Sequence, residues 1–342
     1  MTPVLKNGLC RGLYHSGLLR LTMALKEPRR GASADGHFQI LVYHRVGPAP
    51  DPFMPALPAS VFENHVRYLR KHFRVLSLTE LLRAVAERQL PARAIAITFD
   101  DGYEDVYRHV FPIVCRVGVP ITVFLATGFI DGEQPMWNDR IAAAIRDTTC
   151  EVLSDVPDVP PLPLTTLRAR QEAVMATLGA LKYRPLKERD ELVERIANAL
   201  QASSYQGPGM LRWSQVGEMH KAGVEFGAHT VRHPILTSQS AAERWDEIVD
   251  SKRVIEEKLQ SPALHFAYPN GTERDFDDVT KGLLRKAGFS SAVTTVFGVN
   301  TPATDPYELR RGGPWEQQLS LFATKLWWYR RERPGELRHR TV

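Results

Sequence analysis

The sequence is short of cysteine, with three in 342 residues (Cys10, Cys115 and Cys150), and no CxxC pair among them. An odd number so spaced argues against a disulfide framework and for a reducing compartment. The chain also lacks any uninterrupted apolar run near the ~20 residues needed to span a bilayer. Arg11, His15 and Arg20 break up the leucine-rich stretch near the N-terminus, which therefore does not read as a secretory signal. A cytoplasmic location is the resulting expectation. Charge of one sign is not in large excess, with 44 Lys and Arg against 39 Asp and Glu. No nucleic-acid motif accompanies the net +5, so nucleic acid is not expected as a partner. At 43% hydrophobic and 24% charged residues, wholesale disorder is excluded and a sizeable core can be buried.

Along the chain, a basic, leucine-dotted segment occupies residues 1–36, and 37–342 is expected to form one domain. Short apolar runs at 38–43, 94–99 and 121–125 read as buried strands. Between them, Ser60 is a good N-cap for a helix, and helices are expected over 77–89 and around 106–117. Strands alternating with amphipathic helices predict an α/β fold with a parallel sheet or barrel. The rhythm breaks at about 137–210, where helical patterns at 141–146, 164–181 and 186–200 come with no convincing strand. This stretch is read as a helical insertion. Strands resume at 224–227, 264–268 and 291–294.

Two segments carry chemistry. Thr98-Phe99-Asp100-Asp101-Gly102 places two carboxylates at the C-terminal end of a buried strand, where they are costly unless they bind metal or move protons. Alone, the motif fits a helix N-cap and turn glycine equally well. His229-Thr230-Val231-Arg232-His233 also follows a strand, and imidazoles four residues apart can meet one metal ion from one helical turn. It lacks the glutamate of a HExxH motif, so the base must come from elsewhere. Alone, this pair also has a bland reading. Together, two imidazoles and one carboxylate make a three-ligand site, the plan of catalytic zinc, and the second carboxylate is the natural base.

With Phe266-Ala267-Tyr268-Pro269-Asn270-Gly271 as a third motif, these segments resemble the NodB-type polysaccharide deacetylases over roughly residues 38–315. The resemblance implies an irregular (β/α) barrel of NodB type with the helical insertion. It also implies hydrolysis of an N-acyl, chiefly N-acetyl, group on an amino sugar, polymeric or lipid-linked. It makes Asp100 the general base, makes Asp101, His229 and His233 ligands of a divalent metal such as Zn²⁺, and puts the backbone N–H of Asn270 at the oxyanion, with Tyr268 beside it. Two features depart from the pattern. Ala267 stands where an arginine normally steadies the base, and Arg310 or Arg311 is the candidate replacement, Arg310 being placed in the site. The final Leu-x-His motif is also missing near the C-terminus. Leu41-Val42-Tyr43-His44 at the front resembles instead the circularly permuted members, including those acting on poly-N-acetylglucosamine, and makes His44 the general acid. A deformylase, an amidase on a non-sugar amide and an inactive glycan-binding relative are the alternatives.

At the C-terminus a helix is expected over about 315–331, with Leu319, Phe322, Leu326 and Tyr329 on one face beside Trp327 and Trp328. Such a stripe usually packs on its own domain. Its aromatic and basic mixture, together with the basic N-terminal segment, also suits a peripheral contact with the inner face of a membrane.

Overall fold

The computed structural model describes residues 36–47, 51–132, 135–154, 156–201, 205, 207, 209–313 and 316–329. The expected basic segment at 1–36 thus lies almost entirely outside the described residues. Seven parallel strands form the centre: β1 (Gln39–Tyr43), β2 (Ala94–Phe99), β3 (Thr122–Leu125), β4 (Glu225–Ala228), β5 (His265–Ala267), β6 (Ser291–Phe297) and β7 (Leu309–Arg311). They pair in that order, and the short strand Arg74–Val75 adds to β2. Gly312 joins the two ends, because Val42 N–H donates to its carbonyl at 3.1 Å and its own N–H donates to Ile40 at 2.8 Å. The sheet is thereby nearly closed into a barrel, flanked by helices.

Side-chain alternation sets inside from outside. Ile40, Ala94, Ala96, Phe124, Ala267 and Val293 fill the interior, while Leu41, Ile95, Ile97, Phe99 and Phe266 pack outward against helices. Those helices include α1 (Ala59–His72), α2 (Leu78–Ala86) and α3 (Phe111–Val117). The expected Ser60 cap is corrected: α1 begins at Ala59, and its N-cap is Pro58, two residues before Ser60, with no side-chain cap. Ser77 and Glu80 cap α2 reciprocally. The first turn of α2 plugs the barrel's N-terminal end, where the Glu225 carboxylate accepts from the backbone N–H of Leu78 and Thr79 and from the Thr122 hydroxyl.

The insertion leaves the barrel between β3 and β4. It consists mainly of α4 (Trp137–Asp147), α5 (Leu167–Leu181) and α6 (Leu186–Ala199), around a core of its own that includes Ile141, Ile145, Leu164, Val174 and Ile196. It also carries a small antiparallel pair, Val152–Leu153 with Leu162–Pro163, which the proline-rich sequence did not announce. After it come α7 (Trp213–Lys221), α8 (Ala241–Leu259) and α9 (Asp278–Lys286), and the described chain ends in α10 (Leu319–Tyr329). Phe322 and Leu326 of α10 are fully buried on the domain, with the Phe322 ring stacked on His65 at 3.7 Å. Phe322 and Leu326 of the stripe are thus packed inward, while Trp328 is left largely exposed. Among the described residues no helix is long and apolar enough to cross a membrane.

Candidate active site

The C-terminal ends of β1, β2, β4 and β5 bring the chemistry-bearing residues together. Asp100 and Asp101 follow β2, and the chain turns sharply there, with Asp101 at φ +73° and Gly102 at φ +89°. The positive φ favours glycine at 102, and a Cβ there would crowd Leu125 Cδ2 at 2.9 Å. His229 and His233 leave β4 in an irregular loop, a correction to the expected helical turn. Thr230 (φ +66°) and His233 (φ +54°) are left-handed, and for a β-branched threonine that is a strained conformation of the kind found at working sites. Glu247 of α8 holds the loop by accepting from the N–H groups of Val231 and Arg232, both at 2.8 Å.

Asp101, His229 and His233 present one ligand atom each to a common point. The separations are 3.1 Å between the two Nε2 atoms, and 3.5 and 3.4 Å from these to Asp101 Oδ1. Tetrahedral bonds of ~2.0–2.1 Å to one zinc ion place ligand atoms about 3.3–3.4 Å apart, so the three atoms fit a zinc-sized ion. His229 Nδ1–H donates to the Ala267 carbonyl at 2.7 Å, which leaves Nε2 with its lone pair toward that point. Burial, the largest cause, lowers the pKa of His233 to about 3, which keeps its ring neutral as a ligand must be.

Asp100 lies just inside, 1% exposed, and is gripped by Arg311. The guanidinium donates to both carboxylate oxygens at 2.7 and 2.6 Å, to the Thr98 hydroxyl at 3.1 Å and to the Thr294 carbonyl at 2.7 Å. Burial pushes the Asp100 carboxyl up, but the charge and hydrogen bonds of Arg311, helped by His229 and His44, bring it below the ordinary range. Of the two candidate arginines, the one that reaches Asp100 is therefore Arg311. Arg310, which the sequence reading put in the site, points to the other side of β7 and lays its side chain against Gly298. Adjacent strand residues face opposite ways, and only one of the two can enter the barrel.

His44 follows β1 and sits at the mouth, with its Nε2 3.9 Å from Asp100 Oδ2 and its side chain 39% exposed. His265, the histidine on β5, is enclosed at the other end of the barrel, bonded to Ser291 Oγ and Thr79 Oγ1, both at 2.8 Å. Tyr268 also proves misplaced as a substrate contact. Its ring is fully buried outside the barrel, stacked on Phe276, with its hydroxyl donating to the Tyr307 carbonyl at 3.0 Å. Asn270 is left-handed (φ +59°), and its side chain donates to Asp275. Among the described residues its backbone N–H has no protein acceptor.

A cleft of about 550 Å³ opens onto Asp101 and His44. Its other wall comes from the 53–57 segment and from α4, including two residues the sequence reading passed over, Asn138 and Asp139. Asp139 is 4% exposed and accepts from the Tyr103 hydroxyl at 2.8 Å. Burial, opposed by that hydrogen bond and reinforced by the negative charge of Asp101, raises its pKa to about 7. Arg189 of α6 was also missed. It donates to the carbonyls of His233 and Arg232, both at 3.1 Å, tying the insertion to the histidine loop.

A parallel barrel with two histidines, paired aspartates and a further histidine at its C-terminal mouth is the architecture of a hydrolytic enzyme. The polysaccharide deacetylase family model matches residues 87–292. The chain belongs to that family, whose members are generally metal-dependent hydrolases of N-acetyl amide bonds. His44 and Arg311 both lie outside the matched span.

Over 80 residues the chain is 34% identical to a poly-beta-1,6-N-acetyl-D-glucosamine N-deacetylase of Staphylococcus aureus, covering 23% of this chain and 27% of that protein. Among solved structures it resembles IcaB from Ammonifex degensii, with TM-score 0.57 and 22% identity over 85% of this chain and 97% of that one. It is also similar to the Streptococcus pyogenes deacetylase PplD in complex with acetate, with TM-score 0.55 and 20% identity over 81% and 92% of the two chains. At these identities the structural likeness speaks for the fold.

Proposed function

We propose that the protein is a zinc-dependent N-deacetylase acting on a polymer of N-acetylated amino sugar, of the poly-N-acetylglucosamine class. The observation that carries this is the ligand triangle of Asp101, His229 and His233, sized for one ion and reaching, through Asp101, the cleft that His44 also lines. The substrate class is supported by the poly-N-acetylglucosamine deacetylase among the relatives. When bound, the ion supplies Lewis acidity to the water and the amide carbonyl.

The remaining work falls to the protein. Asp100, anionic at neutral pH because of Arg311, takes a proton from the attacking water. The Asn270 N–H donates to the carbonyl oxygen as negative charge grows on it. His44, at the exposed side of Asp100, protonates the departing amine. Acetate and a free amino sugar are the products.

The test is to supply zinc to the protein, offer N-acetylated sugar polymers and measure released acetate. Asp100→Asn is expected to hold zinc as the natural protein does, while turnover falls at least ~10²-fold, the usual scale for a general base. Saccharide binding with no acetate released by the natural protein would make it a glycan-binding relative. Undiminished turnover in Asp100→Asn would dismiss that residue as the base.

A further inference from the structure

We propose that α4 of the insertion supplies a sugar-hydroxyl subsite to the cleft, centred on Asp139 and flanked by Asn138 and Phe53. This deepens the deacetylase reading and rests on it. The same cleft is bounded by Asp101 and His44 on the barrel side and by these three residues on the other. An acetamido group directed at Asp101 therefore leaves the rest of its ring, or the neighbouring ring of a polymer, against α4.

Chemistry selects hydroxyls as the groups received there. In its ionised form a carboxyl group has about four acceptor sites and no proton to give. Asp139 Oδ2 is used by Tyr103, but among the described residues Oδ1 receives only a long contact from Asn138 Nδ2, at 3.4 Å. A carboxylate so far removed from water and so sparsely bonded is costly to keep. Hydroxyl donors from a saccharide would satisfy it, and the half-buried Phe53 ring on the same wall offers an apolar face for the C–H side of a pyranose. A simple clamp between insertion and barrel would need only one acceptor for Tyr103, which a neutral amide provides as well.

Asp139→Asn keeps that acceptor and the residue's shape, so it isolates the carboxylate. The experiment uses the full, zinc-loaded chain and a pentamer of β-1,6-linked N-acetylglucosamine. KM for the pentamer is expected to rise about 10–100-fold in Asp139→Asn, the range for losing a hydrogen bond to a charged group. The loss should fall on KM far more than on kcat, with the zinc dissociation constant unmoved. Phe53→Ala, on the same wall and partly exposed, serves as the second variant, and its KM should rise several-fold. Unchanged KM in both variants overturns the subsite. So does a fall in kcat accompanied by weaker zinc binding, since Asp139 would then belong to the metal framework. If the natural protein releases no acetate from the pentamer or from any N-acetylated sugar, it is the deacetylase reading that fails.

Discussion

Arg311 offers the sharpest quantitative test of how the site is held. Its guanidinium is fully buried and donates to Asp100, Thr98 and Thr294. Removing one partner of such a buried pair strands the other, at a cost of about 3–5 kcal/mol. Arg311→Met keeps most of the side-chain volume and removes the charge. At ~3 kcal/mol per M of urea, the upper figure for small proteins, the unfolding midpoint should fall by about 1–1.7 M. Urea titrations at pH 7.5 with chelator present would measure this without any contribution from metal. The pH dependence has a definite sign. Asp100 has a lowered pKa in the folded protein, so the stability it gives is present above the ordinary carboxylate range and lost as pH falls. The gap between natural and variant protein should therefore narrow in acid, where the stranded carboxyl can take up a proton. Arg311→Met combined with Asp100→Asn should recover most of the loss. Arg310→Met, altering the neighbour on the other side of the strand, should cost under about 1 kcal/mol. An Arg311→Met protein as stable as the natural one at pH 7.5, or an equal loss in Arg310→Met, would refute the assignment.

His229→Ala and Asp101→Ala should each lose stoichiometric zinc and acetate release together, as read by metal analysis after dialysis, because two ligands hold zinc poorly. His44→Ala should retain zinc and lose most amide hydrolysis, but lose less on an activated acetyl ester whose leaving group needs no proton. Equal losses on the two substrates would exclude it as the acid. Asp139 has a folded pKa raised to about 7, so its contribution to stability is greatest below the ordinary carboxylate range and declines as pH rises toward 7. Over roughly three pH units that decline is on the order of 4 kcal/mol, and Asp139→Asn should flatten the fall of Tm between pH 4 and 7.

Much of the site was legible because each motif follows a buried strand, and parallel strands deliver their C-terminal ends to one rim. TFDDG and HTVRH could be placed together without knowing the register. What the sequence concealed was phase. β7 is a three-residue strand carrying two adjacent arginines, so periodicity could not single it out, and Gly312 pairing with β1 is what turns Arg311 inward. Alternation did contain the answer for Tyr268: Ala267 faces the interior, so its neighbour must face out. Asp139 reads as an ordinary acidic residue in the first turn of a helix, and Arg189 as an exposed helical arginine. Both are buried by tertiary packing between the insertion and the barrel, and no local pattern carries that information.

The span between Asp100 and Arg311 has a consequence for how the protein is made. The two are 211 residues apart, so at ~5–20 residues per second a ribosome needs about 10–40 s after making the carboxylate to supply its partner. Until Gly312 pairs with β1, the nascent sheet has two open edges, and Asp100 faces burial without a counter-charge. The barrel therefore has reason to stay loosely assembled during synthesis and to close late, through contacts of long sequence separation that are slow to form. Any chain released before residue 311 would carry Asp101, His229, His233 and His44 yet lack the guanidinium that grips Asp100, so under the proposed mechanism hydrolytic competence arrives only with the last strand.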